Sequence, residues 1–150
     1  STSSSAATIP VTLKTVNQDL GVNQNVASFV VPVGATINMD GTAIMQGLAT
    51  VFIAQMSGID LTLFQYGQVV LLAVATSIGT AAVPSAGTIT LIIILQQFNL
   101  PLEAIGIILA VDRVLDMIRT SVNVTGDAAI ACIVAKSENQ LDETIFNSHK

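Results

Sequence analysis

The sequence has no tryptophan, one tyrosine, one cysteine and one histidine, and only 10% of its 150 residues are charged. Each shortage closes a class of function. The single Cys132 cannot form a disulfide within the chain and reads as a small buried apolar side chain. The single histidine, His149, stands in the terminal tail, so no Ser/His/Asp or Cys/His set exists and enzymatic catalysis has no visible machinery. Aromatic residues make up 4% of the chain, and there is no basic patch, which argues against nucleic acid as a partner. Nothing resembles a signal peptide, and the chain opens on STSSSAATIP rather than Met, so it reads as the C-terminal part of something larger. Charge is missing most completely from residues 61–102, which contain none.

Apolar residues fill the space. They make up 51% of the chain, the mean hydropathy is +0.72 and the net charge is −5. A soluble domain carries about 25% charged residues, so this composition predicts an all-α membrane protein. A spanning helix needs about 20 apolar residues, yet the long apolar stretches here are interrupted. Residues 24–58 carry Pro32, Gly34 and the run Asn38-Met39-Asp40-Gly41-Thr42 in their interior, which predicts a transmembrane helix broken midway, with freed carbonyls from Gly34 to Asp40. Residues 68–99 place two short apolar arms around SIGTAAVPSAGTIT, the pattern of a re-entrant hairpin with an irregular tip; the competing reading is one long helix kinked at Pro84. Residues 1–23 look like part of a first re-entrant hairpin with a Ser-rich tip, although a Ser run by itself reads as a flexible linker. A last helix over 103–136 precedes an acidic polar tail at 137–150. Discontinuous elements in matching positions of two halves point to a transporter built from repeats.

The scarce charges gather in one place. DRVLDMIRTSVNVTGD, residues 112–127, holds three aspartates and two arginines. At about 100° per residue, Asp112, Asp116, Arg119, Thr120, Asn123 and Asp127 all fall within roughly 100° of arc. An Asp at the centre of a membrane helix costs roughly 2.5–3.5 kcal/mol on the insertion scale. With Asp40 added, four carboxylates stand against Arg119, an excess of three negative charges that internal pairing cannot remove. Either some carboxylates are protonated or cations bind among them. Asn38, Asn123, Asp127 and the freed carbonyls are hard oxygen donors suited to Na⁺. Arg119 is a planar fork matched to a carboxylate, unless its i,i+3 neighbour Asp116 satisfies it internally. In a site for a zwitterion with a second carboxylate, Asp116 would take the ammonium and Arg119 the side-chain carboxylate. Asn123 and N–H groups of the Ser-rich tip would take the α-carboxylate. The sequon Asn123-Val124-Thr125 lies inside this helix and should be inaccessible to glycosylation.

The segments SSSAATIPVT, GATINMDGTA, SIGTAAVPSAG and DMIRTSVNVTGD, in this order, closely resemble the signature regions of the dicarboxylate/amino acid:cation symporters, the glutamate transporter family. The resemblance runs from Ser1 to about Lys136 and implies the C-terminal part of that family's transport domain. It implies secondary active symport of acidic amino acids, aspartate or glutamate, coupled to Na⁺ by an elevator motion, in a homotrimer embedded in the lipid of the cell membrane (the inner membrane in a Gram-negative bacterium). Proton-coupled uptake of glutamate or a C4-dicarboxylate is the alternative within transport, and a non-transporting interaction module the alternative outside it. Substrate contacts are implied at Ser5, Thr42, Val83, Gly87, Asp116, Arg119, Thr120 and Asn123. One sodium site would use Gly34, Asn38, Asn123 and Asp127. A second would use Thr36, Met39, Ser77, Ile78 and Thr80, mostly through carbonyls, and a third Asn38 and Asp40. The chain departs from some members at Ser3 and Met117, where they carry Arg, and at Ala82 and Ser85, where close relatives carry glycine; the nearest further arginine is Arg113.

Overall fold

The computed structural model describes residues 1–148; His149 and the end of the acidic tail lie outside the described residues. The chain forms helices α1 (Ser5–Gln18), α2 (Gln24–Ile37), α3 (Asp40–Met56), α4 (Leu63–Ile78), α5 (Ala86–Gln97), α6 (Ile105–Ser137) and α7 (Glu143–Asn147), with a 3₁₀ turn at Leu102–Ala104 leading into α6. The one extended pairing among the described residues is an isolated bridge between Val22 and Leu141. It folds the tail back onto the turn between α1 and α2, where Asp142 N–H donates to the Gly21 carbonyl at 2.8 Å.

Local chemistry sets these boundaries. Ser4 is extended, and its Oγ accepts from Ala7 N–H at 3.1 Å, so the Ser run ends in a helix cap and not in a free linker. α4 starts at Leu63, ahead of the arm expected from residue 68, because Thr62 and Gln65 form a reciprocal capping box. α4 and α5 pack against each other through residues 79–85, which excludes a single helix kinked at Pro84. Ser85, with φ of 61°, turns the chain at that point.

The break between α2 and α3 is narrower than the sequence suggests. Only Asn38 and Met39 leave helical geometry, and Asn38 N–H still donates to the Gly34 carbonyl at 2.7 Å. Gly34 is therefore not unwound. Pro32 removes a hydrogen bond only towards Ser28, a turn earlier, so the helix survives to Ile37.

Two apolar clusters flank a polar centre, and α6 runs through all three. Ile105 and Ile108 join Met45, Ile53, Leu91, Ile94 and Leu95 between α3, α4 and α5. At the other end Ala131 and Ala135, both fully buried, pack with Val16, Ala27 and Val31 of α1 and α2; the small alanines let the helix axes approach. Between them Asp112, Asp116, Arg119, Thr120, Asn123 and Asp127 are all buried, while Ile107, Val114, Ile118 and Ile133 of the same helix are exposed. The polar face points inward and the apolar face outward, the reverse of a soluble helix. No described helix is long and apolar enough to cross a membrane. For α6 the reason is composition, since 33 residues at about 1.5 Å each would reach but five charged side chains interrupt them at 112–127.

Candidate functional site

Three helices begin at one cavity. The start of α1 contributes Ser4 and Ser5, the start of α3 Met39 and Thr42, and the start of α5 Gly87, while α6 closes the wall with Asp116, Arg119, Thr120 and Asn123. The cavity is small and partly open, with about 10 Å³ of free space, room for about one water. Helix N-termini carry partial positive charge and spare N–H donors, so three of them together favour an anion. All eight residues named for substrate from the sequence line this cavity: Ser5, Thr42, Val83, Gly87, Asp116, Arg119, Thr120 and Asn123.

The pair at its centre is asymmetric. Arg119 donates through Nε to Asp116 Oδ1 at 3.1 Å and approaches the same oxygen through Nη2 at 2.6 Å, with both side chains 4% exposed. Asp116 Oδ2 accepts from Ser85 N–H at 2.8 Å, so both carboxylate oxygens are engaged. The internal ion pair is therefore real, but it uses only one side of the guanidinium. Nη1 is buried without a hydrogen-bond partner, beside Gly87, where a Cβ would collide with it. A buried donor left unmade costs roughly 1–3 kcal/mol, and more for a charged group. Ser3 Oγ is the other buried unpartnered side-chain atom among the described residues, and it lines the same cavity.

Two turns along α6 the chemistry reverses. Asp127, 1% exposed, packs against Gly34 and accepts from Asn38 Nδ2 at 3.1 Å; the same amide reaches the Asn123 carbonyl at 3.3 Å. No cation side chain pairs with Asp127 among the described residues. The last turn of α2 ends here, so its carbonyls add partial negative charge. Among the described residues no three His, Cys, Asp or Glu side chains cluster; what converges is one carboxylate and the Asn123 carbonyl, bridged by the Asn38 side-chain N–H groups. That set suits a hard monovalent cation better than zinc or iron. Asp40 is exposed and meets Asn38 across Gly126, beside Ser121 and Thr125. Of the residues expected to form a second cation site, Met39 and Thr80 line the same cavity and Ser77 is buried, while the side chains of Thr36 and Ile78 are exposed and Thr36 Oγ1 donates to Val33 O at 2.8 Å.

Asn123 joins the two regions. Its Oδ1 accepts from Gly41 N–H at 2.8 Å, supplying the cap that α3 lacks from its own N-cap residue Met39. The approach is so close that a Cβ at Gly41 would run into the Arg119 carbonyl. Asn123 is 2% exposed, which keeps the sequon inaccessible.

Two contributors were not legible as such in the sequence analysis. Ser4 Oγ donates to Ala82 O at 2.7 Å and ties the start of α1 to the loop between α4 and α5. Gln46, fully buried, donates to Gly87 O at 3.0 Å and Thr90 Oγ1 at 2.7 Å and accepts from Thr76 Oγ1 at 3.0 Å, binding both α4 and α5 to α3. Its signal was available, as the one large polar residue in the interior of an apolar helix. Asp112 was placed on the polar face, but its partners were not foreseen.

Comparison with known proteins agrees with this geometry. Residues 1–137 match the model of the sodium:dicarboxylate symporter family. The chain belongs to that family. Human excitatory amino acid transporter 2 is 49% identical over 150 residues, covering 99% of this chain and 26% of the transporter. An excitatory amino acid transporter of Caenorhabditis elegans is 50% identical over 133 residues, 89% of this chain and 26% of its own length. Mouse excitatory amino acid transporter 3 is 48% identical over 147 residues, 97% of this chain and 28% of its own length. The chain thus spans about a quarter of these curated relatives.

Proposed function

We propose that these residues form the C-terminal part of the transport domain of a Na⁺-coupled symporter for acidic amino acids, and that the protein containing them works as a carrier, not an enzyme. The observation that carries the reading is Arg119 Nη1, a buried cationic donor without a partner on the wall of a small polar cavity. A substrate side-chain carboxylate satisfies it, the ammonium takes Asp116, and the α-carboxylate lies against Asn123 and the N-terminus of α1. Thr42, Thr120, Val83 and Gly87 complete the enclosure. Asp116 disfavours a plain dicarboxylate, which has no ammonium to offer it.

Na⁺ enters as co-transported cargo. Gly34, Asn38, Asn123 and Asp127 form one site, Thr36, Met39, Ser77, Ile78 and Thr80 a second, and Asn38 with Asp40 part of a third. The inward polar face and outward apolar face of α6 support membrane residence, with α4–α5 as a re-entrant hairpin and α2–α3 as a broken spanning helix. The family resemblance extends the reading to a homotrimer in which the transport domain moves as an elevator. Uptake of radiolabelled aspartate by the full-length protein in proteoliposomes tests it, with Na⁺, K⁺ or proton gradients imposed separately. Uptake driven by Na⁺ is the expected result; uptake driven only by protons moves the protein to proton coupling, and no uptake under any gradient rejects transport.

A further inference from the structure

Asp112 stands one turn before Asp116 on α6, 5% exposed, with no cationic partner among the described residues and no place on the cavity wall. A carboxylate so buried is costly unless hydrogen bonds replace its water. Both its oxygens are taken by hydroxyls of the second hairpin: Ser85 Oγ donates to Oδ2 at 2.6 Å, and Thr88 Oγ1 donates to Oδ1. These donors bracket Gly87, where the tip passes into α5. Ser85 holds a left-handed conformation that a residue with a Cβ adopts only when its surroundings enforce it, and its N–H is fixed on Asp116. Residues 79–86 bury no large apolar side chain, so polar contacts carry the closure of this tip. Ser4 on Ala82 O holds its other flank.

We infer that Asp112 is a positioning residue that latches the second tip shut over the Asp116–Arg119 pair. It acts through Ser85 and Thr88 and sets how often the cavity opens to water. Two hydroxyl–carboxylate bonds suit a latch because opening returns every partner to solvent. A hydrogen bond to a charged group is worth about one factor of ten or more in an equilibrium. The latch rests on the reading of the cavity as the substrate site, but it can be tested without substrate.

The full-length transporter, with Cys132 replaced by Ser and Ser3→Cys as reporter inside the cavity, supplies the assay. Without substrate, Thr88→Val should speed labelling by a membrane-impermeant thiol reagent about tenfold. Thr88→Ser, which keeps the hydroxyl, should label at the reference rate. Ser85→Ala should speed labelling in the Asp112 protein and add nothing to Asp112→Asn. Equal rates for Thr88→Val and Thr88→Ser overturn the latch, whatever Asp112→Asn does to folding. A lowered melting temperature with unchanged labelling also overturns it, because a merely structural role predicts that outcome. The substrate reading is checked separately by adding Na⁺ and aspartate to the reference protein. Absence of protection defeats that reading and leaves the labelling rates to decide the latch.

Discussion

The two polar clusters on α6 share one helix face, and their chemistries are opposite. Around Asp116 and Arg119 the starts of α1, α3 and α5 converge, bringing N–H donors and partial positive charge to a guanidinium with one free edge. Around Asp127 the end of α2, with its partial negative charge, brings the Asn38 amide to a carboxylate that has no cationic partner among the described residues. The helix ends thus set the sign of the potential at each cluster before any side chain is considered, and Arg119 and Asp127 reinforce it. Breaking α2 from α3 makes it possible, because one interruption supplies a C-terminal end to one cluster and an N-terminal end to the other.

The largest expected effect comes from removing the cation of the first cluster. Arg119→Cys takes away the fork for the side-chain carboxylate and leaves the other contacts in place. Losing a buried charge partner typically costs about 3–5 kcal/mol, so aspartate binding to the full-length protein should weaken by two to three orders of magnitude. Serine, with no second carboxylate, should be tolerated or gained. A purely internal role in neutralising Asp116 predicts equal loss for both, and competition binding separates the two cases.

The matching change in the second cluster is Asp127→Asn. It keeps nearly the same shape and removes the charge, so the Na⁺ concentration supporting half-maximal aspartate binding should rise about ten- to hundredfold, from a charge-assisted contact of roughly 1.5–3 kcal/mol. The preference for aspartate over serine should stay. Titrating Na⁺ against bound aspartate measures both, and an unchanged Na⁺ dependence would place the cation elsewhere.

Gly41→Ala blurs the comparison instead of taking one side. Its Cβ meets the Arg119 carbonyl, a backbone atom that cannot turn aside, and Gly41 N–H is held by Asn123 Oδ1. Overpacking of this kind costs about 1–3 kcal/mol. Aspartate affinity and Na⁺ dependence should therefore worsen together, each by about tenfold. If only one moves, the clusters are mechanically independent.

Much of this was legible in the sequence because α6 obeys a simple period: six polar residues in one arc are six buried residues in the fold. The collinear motifs also named eight residues that the fold gathers on one cavity wall, beside six that they did not assign to it. Hydrogen bonds between distant segments were not. Ser85 and Thr88 to Asp112, Ser4 to Ala82, and Gln46 to both arms depend on how the hairpin leans on α3 and α6, and no local pattern encodes that lean. The narrow break had a different cause. Pro and Gly mark where a helix can open, not that it does, and the Gly34 carbonyl keeps its hydrogen bond from Asn38 N–H.

The smallest effect should come from the one other ion pair among the described residues, Lys136 with Glu143, which joins the end of α6 to α7. It has the same opposite charges as Asp116 and Arg119, but both side chains are more than half exposed. Water already solvates each group, so pairing adds little, and salt screens what remains. The Lys136 ammonium, as hydrogen-bond donor and as charge, holds Glu143 below the usual carboxylate range. A carboxylate with a lowered value stabilises the fold above its unfolded value, and that stabilisation is lost as pH falls through the folded one. Glu143→Gln should therefore leave the melting temperature, aspartate affinity and Na⁺ dependence at neutral pH unchanged within error. It should also remove whatever shallow acid-side dependence this pair contributes. A fall in melting temperature comparable to that of Gly41→Ala would mean that the charges alone, and not their burial, distinguish the clusters of α6 from its end.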